Sequence, residues 1–379
     1  MNGVIIVDKP AGWTSHDVVS RMRRILQQKS IGHLGTLDPL ATGVLPLVTG
    51  SLTRLAQFYV ASEKTYEGVI RFGFATNTYD ADGEPVAVPL ATAAACPDLN
   101  LPELQSLAAQ FLGHIEQIPP PFSAKKIHGV PAYKLARKQK EVILKPVPVE
   151  IKEFTITSVD SDRAHFRARV SSGTYMRSIA HEMGQRLGCG AHLASLRRTA
   201  LAEFTISQAH TLEMIERQMN GNRSDQSGVS TPEKEKIDPD SRSDQSFAFT
   251  PEKENINPDC HSDRSFPFPA GKGSGVEEPA VPAATQPVWG GHSCPPLATP
   301  ALSDLTSLFI HPRQLLPHFP SVTADEPTCA RIRSGRPVNL PDLSRAPQIK
   351  VFSSQTDLLA IATRIAGTLF HPKIVFPSD

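Results

Sequence analysis

Cysteine is scarce and scattered in this 379-residue chain: the five (Cys96, Cys189, Cys260, Cys294, Cys329) are odd in number and form no C-x-x-C pair. That pattern supplies neither a disulfide framework nor a zinc site. The 13 histidines form no ligand spacing. HEMGQ (181–185) stops short of the metal-binding H-E-x-x-H because position 185 is glutamine. No G-x-G-x-x-G, no G-x-S-x-G and no phosphate-binding loop ending in Lys-Ser/Thr occurs. The expected chemistry therefore needs no metal and no cofactor. Long apolar runs are missing too. The opening MNGVIIVDKPAGWTS carries only Val4–Val7 before Asp8, without the basic start and long apolar core of a secretion signal. No run is long enough to span a bilayer, so the expectation is a cytoplasmic protein with no membrane partner. Net charge is nearly absent at +1, but it is unevenly spread. Residues 1–217 carry 24 basic against 20 acidic side chains, and residues 218–300 carry 7 against 12. A modestly basic folded portion suits a polyanionic partner, though overall charge alone is a weak argument.

What is present reads as mixed α and β. GVIIVDK at the start has the look of a short buried strand ended by Pro10 and Gly12. In HDVVSRMRRILQQ, Val18, Val19, Met22, Ile25 and Leu26 share one helical face, with Ser15 as the expected N-cap. A strand is expected over TYEGVIRFGFAT (65–76), and a helix over 101–113 ending at Gly113. VEIKEFTITSVD and RAHFRARVSSGTYMR alternate as half-buried strands do, and RSIAHEMGQRLG (177–188) returns to helical spacing. The irregular mixture favours an α+β fold with a mixed, largely antiparallel sheet and flanking helices rather than repeated βαβ units.

Residues 218–300 differ in kind. RSDQSGVSTPEKEKIDPDS, from Arg223, recurs 19 residues later as RSDQSFAFTPEKENINPDC, and a third copy begins HSDRSF. A 19-residue period could suggest a solenoid. The repeats hold no regular apolar face to stack, however, so a disordered insertion is expected. Ordered sequence should resume near Leu302 and complete the first domain by about 302–320. The short apolar runs of 321–379 suggest a small β-rich domain.

Three stretches carry chemistry. HLGTLDPLATG (33–43) centres one acid, Asp38, ahead of Pro39, which biases it towards an extended backbone. Gly35 and Gly43 permit unusual conformations, and Leu34, Leu37, Leu40, Val44 and Leu45 give the loop apolar surface with which to pack down. A carboxylate in such a frame is held and partly desolvated, as a nucleophile or general base must be. The alternative is an Asp that merely caps its own turn. SSGTYMRSIAHEMG (171–184) sets Tyr175 and Arg177 at a strand-to-helix junction, on the same side if the strand continues. An arginine reaching Asp38 would keep it ionised and oriented; otherwise Arg177 belongs to a surface ion pair. KKIHGVPAYKLARKQK (125–140) has six Lys/Arg and no acid, which suits either a phosphate-backbone surface or a solvated helix face.

These residues resemble the TruB family of tRNA pseudouridine synthases. The resemblance rests on KPAGWTS (9–15), GHLGTLDPLATGVLPL (32–47), EKTYEGVIRFG (63–73), the basic segment from PPPFSAKKIHGVPAYKLAR, and SSGTYMRSIAHEMGQRLGCGAHLASLRRTA (171–200). It spans nearly all of residues 1–217 and is weaker over 302–379. It implies a catalytic domain over 1–217, a repeat-containing insertion over 218–300 with no family counterpart, and a PUA-like RNA-binding β-barrel over 321–379. It further implies isomerisation of the T-arm uridine 55 of tRNA. Asp38 would attack uracil C6 or ribose C1′. Tyr66 would pack against the base and is a candidate for removing the C5 proton. Arg177 would pair with Asp38, Tyr175 and Leu196 would line the pocket, and His33 would fill the gap left by the everted nucleotide. Lys9 and Pro10 would support the loop, while Lys125, Lys126 and Lys134 would clamp the RNA. The LATG version of the turn resembles the stand-alone bacterial enzymes, so tRNA is the expected partner, without a guide RNA and with a monomeric enzyme. The same chemistry on another RNA, and a tRNA chaperone needing no turnover, are the rival readings.

Overall fold

A computed structural model describes residues 2–86, 99–123, 125–127, 129–136, 138, 144–224, 308–341 and 346–377. The apolar segments noted above become β1 (Gly3–Lys9), β2 (Ile31–His33), β3 (Thr42–Thr49) and β4 (Lys64–Phe72). A short pair follows, β5 (Ala75–Thr76) with β6 (Pro85–Val86), then β7 (Gly113–Gln117) and a second short pair, β8 (Lys126–Ile127) with β9 (Val130–Pro131). Long strands β10 (Val147–Asp160), β11 (Arg163–Val170) and β12 (Ala191–Leu201) precede the two-residue β13 (Phe204–Thr205) and β14 (Phe309–Ile310). The main sheet has ten strands, running β14-β1-β3-β12-β4-β11-β10-β7, with β2 on β3 and β13 on β12.

Every pairing in this sheet is antiparallel except β3 with β12, which are in register only at Thr42–Arg197 and Gly43–Arg198. Two halves of the sheet thus meet through a two-residue seam. A Cβ on Gly43 would lie 2.3 Å from the Arg198 carbonyl oxygen, and the residue has φ +98°. Only glycine allows that approach.

Helices α1 (Ser15–Leu26), α2 (Ala56–Tyr59), α3 (Leu101–Ala109), α4 (Ala132–Ala136), α5 (Met176–Leu187) and α6 (Leu212–Ser224) complete the main body. The apolar faces of α1, α3, α5 and α6 share one core with the inward side chains of the sheet, among them Tyr66, Ile70, Phe166 and Leu193. Alternation sends Glu67, Arg167 and Arg169 to the opposite, exposed face. On α1, Val18, Val19, Met22 and Ile25 are buried as their spacing predicts, each contributing about 1.5–3 kcal/mol of transfer free energy. The N-cap of α1 is Thr14 rather than Ser15. Thr14 and Asp17 form a reciprocal capping box, leaving Ser15 for another contact. Helix α3 ends at Ala109, short of Gly113. That glycine, at φ +87°, instead turns the chain into β7.

Helix α6 runs to Ser224, with Met219 buried against the core, so the helix continues past residue 217 instead of ending where the insertion was expected to begin. The repeats beyond them lie outside the described residues. After that gap, Phe309 and Ile310 pair with Ile5 and Val4 on β1. A second, five-stranded sheet follows, formed by β15 (Ser321–Thr323), β16 (Val338–Asn339), β17 (Gln348–Phe352), β18 (Leu358–Ala366) and β19 (Leu369–Val375), in the order β15-β17-β18-β19-β16. It is packed by helix α7 (Glu326–Arg333) around Val322, Ile332, Val338, Ile349 and Phe370. Its outer residues Phe352, Ile361 and Ile374 join Leu55, Leu201 and Phe204 in a shared apolar cluster. The fold is α+β, mixed and largely antiparallel, with a small C-terminal sheet.

Candidate active site

Residues 38–41 form a β-turn in which the Ala41 amide donates to the Asp38 carbonyl at 3.1 Å, with Pro39 in the position that its fixed φ favours. The Asp38 carboxylate does not cap this turn; it points to Arg177. Three contacts from the first strand and helix hold the loop. The Lys9 ammonium, fully buried, donates to the carbonyls of Pro10, Trp13 and Pro39. The Gly12 amide donates to Pro39 O at 2.9 Å. The Ser15 hydroxyl accepts from the Leu37 amide at 2.8 Å and donates to the Leu37 carbonyl at 3.2 Å. Leu34, Leu37, Val44 and Leu45 are buried beneath the loop, whereas Leu40 is only half-buried and lines a groove on the other side of the sheet. Gly43 needs its positive φ. Gly35 does not: it leaves room for Leu201 and Arg198, which a Cβ would meet at 3.1 and 3.4 Å.

Helix α5 delivers the partner. The chain is already helical at Arg177, so helix geometry rather than strand alternation sets its direction, with Tyr175 at the N-cap. Gln117 on β7 clamps the backbone of Tyr175, accepting from its amide at 2.8 Å and donating to its carbonyl at 3.1 Å. Arg177 is buried and reaches four groups. Its Nε lies 3.0 Å from Asp38 Oδ2, and its Nη1 lies 3.3 Å from Asp80 Oδ2. Nη1 also donates to Thr78 O at 3.1 Å, and Nη2 to Phe122 O at 3.0 Å. The Nε–H is not aligned on the Asp38 oxygen, so this contact is an ion pair more than a hydrogen bond.

Asp38 is crowded by protein atoms, yet 41% of its side-chain surface stays open. Burial pushes its carboxyl above the usual range. Arg177 opposes this, Asp80 adds to it, and Lys9 again opposes it. Burial likewise pushes Lys9 down to about 8, against the pull of Asp38. A poorly solvated carboxylate beside a fixed cation is suited to nucleophilic attack.

Tyr66 lies on β4 directly opposite Arg198 of β12, on the core face. Burial raises its phenol pKa, while the Arg198 charge opposes the rise and the Asp38 charge adds to it. Leu196 is buried two residues earlier on β12, opposite Gly68. Tyr175, half-buried, feels both Arg177 and Asp38, and its phenol is raised mainly by burial. His33 ends β2. Burial lowers its pKa, as do the charges of Arg198 and His16, so its ring is neutral at pH 7. Asp38, Arg177, Tyr175 and Tyr66 are thus brought into one electrostatic neighbourhood. The Arg198 charge acts on both Tyr66 and His33.

The basic segment is fastened nearby. Phe122 O is held by Arg177, and Ile118 O accepts from the Ser178 hydroxyl at 2.8 Å. Lys125 follows three residues on and is exposed, as is Lys134 on α4. Lys126 pairs with Pro131 in the β8–β9 hairpin. His128 and Lys140 lie outside the described residues.

Two site residues went unrecognised in the sequence. Asp80 is buried in the turn NTYDADG, where its carboxylate also accepts from Thr78 Oγ1 at 2.6 Å. Arg198 has no solvent exposure and braces the Asp38 loop, donating to Val44 O, Gly35 O and Thr36 O at 2.8, 2.9 and 3.3 Å. The two-residue alternation in SLRRTA was the available signal: one of the adjacent arginines must face inward.

Comparison with known proteins gives concordant matches. The profile for the N-terminal domain of TruB family pseudouridylate synthases matches residues 23–176, and that for the tRNA pseudouridylate synthase B C-terminal domain matches 177–231. A Solibacter usitatus protein named tRNA pseudouridine synthase B is 39% identical over 378 residues, covering 99% of this chain and 100% of its own. One of the same name from Opitutus terrae is 46% identical over 217 residues, 57% of this chain and 88% of its own. Among solved structures, an H/ACA RNP bound to a substrate RNA containing 2'-deoxyuridine has a TM-score of 0.58 at 19% identity, covering 99% of this chain and 85% of that one. A Cbf5-Nop10-Gar1 complex gives 0.57 at 19%, covering 99% and 85%. At such identity the likeness is one of fold.

Proposed function

The chain belongs to the TruB family of pseudouridylate synthases, and on that premise we propose that it isomerises uridine 55 in the T arm of tRNA, with Asp38 as the nucleophile. The observation that carries this reading is the Asp38–Arg177 ion pair at 3.0 Å, with the Asp38 carboxylate partly open to solvent and Arg177 braced by Asp80. The names of the curated relatives support tRNA as the substrate.

The target atoms are stacked inside the folded arm, so the nucleotide must leave its stack to meet Asp38. Tyr66 and Leu196 bound the pocket, Tyr175 lines it, and the neutral His33 ring takes the vacated position in the RNA. Lys125, Lys126 and Lys134 hold the phosphates, which needs only modest positive charge. On this reading the enzyme acts in the cytoplasm as a monomer, and the resemblance of its LATG turn to that of the stand-alone enzymes supports action without a guide RNA.

Pseudouridine mapping of tRNA treated with wild type and with Asp38→Ala tests the proposal. Wild type should modify the T-arm uridine and Asp38→Ala should not. A wild-type protein that binds tRNA tightly yet leaves this uridine intact would refute it in favour of a chaperone role. Modification at another position would redirect the substrate.

A further inference from the structure

Tyr79, in the turn NTYDADG, has φ +66°, a conformation that a bulky side chain adopts only at a cost. Backbone bonds tie this turn to the sheet. The Leu193 amide of β12 donates to Tyr79 O at 3.0 Å, and the Ala81 amide donates to Leu193 O at 3.0 Å. The Tyr79 ring lies flat on the imidazole of His181, with centroids 3.7 Å apart and planes 9° from parallel. His181 belongs to α5, four residues after Arg177, and so projects from the same side of that helix one turn further on. Its Nε2 lies 3.0 Å from the Gln185 side-chain amide, while its buried Nδ1 has no hydrogen-bond partner among the described residues. The ring is placed for its face rather than for its nitrogens.

The stack sits between the two groups that hold the guanidinium. Thr78 O and Asp80 Oδ2, from the residues on either side of Tyr79, lie 3.1 and 3.3 Å from Arg177 Nη1. Helix α5 and the turn therefore meet twice, Arg177 against Thr78 and Asp80, and His181 against Tyr79. We infer that Tyr79 and His181 are positioning residues for the proposed reaction: their stacked rings fix the 78–80 turn against α5, so that Arg177 keeps Nη1 on the turn and Nε on Asp38. This rests on the reading of the chain as a pseudouridine synthase. Without the stack, the guanidinium that orients the nucleophile would also have to hold the turn by itself. Any drift of the turn would then draw Arg177 away from Asp38, where the productive geometry tolerates only about 0.5 Å.

Single-turnover pseudouridine formation by the full chain on tRNA tests the inference, with urea unfolding confirming that each variant is folded. His181→Ala should slow the reaction about 10- to 100-fold, the scale of a misplacement near 1 Å, while tRNA affinity stays unchanged. His181→Phe restores a flat ring without the nitrogens and should react at close to the wild-type rate. Tyr79→Asn removes the other ring and keeps a residue that accepts positive φ, so it should lose as much as His181→Ala. The double variant should be no slower than the worse single, because the two rings act as one unit. A Phe variant as slow as the Ala variant, losses that multiply, or a fall in stability with no fall in rate would each overturn the inference.

An independent readout uses the free protein. The Arg177 Nε–H proton, followed by NMR, should exchange with solvent faster in His181→Ala than in wild type or His181→Phe. An unchanged exchange rate breaks the link from the stack to the guanidinium and overturns the inference. The two failures are separable. A wild type that forms no pseudouridine removes the catalytic purpose along with the proposed function, while proton exchange still reports whether the stack fixes Arg177.

Discussion

Replacing Asp80 by asparagine separates what positions Arg177 from what sets the charge state of Asp38. Asp80 Oδ2 lies 3.3 Å from Arg177 Nη1, and its other oxygen is fixed by Thr78 Oγ1 and the Asp82 amide. Asparagine keeps the shape and a neutral acceptor but loses the charge. A hydrogen bond to a charged group contributes about 1.5–3 kcal/mol against about 0.5–1.5 for a neutral one, so the expected loss of stability is about 1–2 kcal/mol, read from urea unfolding at pH 7. The effect on pH runs opposite to a simple loss of function. The Asp80 charge raises the Asp38 carboxyl pKa. Removing it lowers that pKa, and the nucleophile stays ionised to lower pH. The acid limb of kcat/KM, which reports the free enzyme, should therefore move down in pH even as the plateau falls through looser placement of Arg177. At pH 5 the variant should retain a larger fraction of its own plateau than wild type does of its plateau. A limb that stays put or moves up refutes the electrostatic reading. An unchanged plateau refutes the positioning one.

Ser15→Ala leaves the buried Leu37 amide without its partner, which should cost about 1–3 kcal/mol and lower kcat more than it raises KM, because the loop bearing Asp38 loosens. Gly43→Ala places a Cβ 2.3 Å from Arg198 O at φ +98°. The strain and forced separation of the sheet seam should cost at least about 2 kcal/mol in urea unfolding, with activity falling in parallel. Neutralising Lys125, Lys126 and Lys134 together should weaken tRNA binding and flatten its dependence on log[salt] by up to about 2 units of slope. An unchanged slope in a filter-binding titration would place the RNA elsewhere.

What was legible in the sequence was whatever a local period could encode. The apolar stripe of α1, the alternation of β10 and β11 and the glycine stop of α5 depend on neighbours within a few residues, and all appear in the structure. Asp38 stood out as an acid in a rigid apolar turn, but turn chemistry alone favoured a self-capping role. Contacts across the fold decided otherwise, since α5 brings Arg177 to within 3.0 Å. The misreadings share that cause. Ser15 is a good cap by composition, but Leu37 claims its hydroxyl and Thr14 caps in its place. Asp80 looks like one more acid in a DADG turn until Arg177 arrives beside it. The adjacent arginines of SLRRTA drew no separate reading, yet alternation forces one inward, and the Val44, Gly35 and Thr36 carbonyls make that burial tolerable. A polar residue's local spacing therefore gives its direction, while its role is set by a partner distant in the chain. In this fold those distant partners converge on the loop that carries the acid.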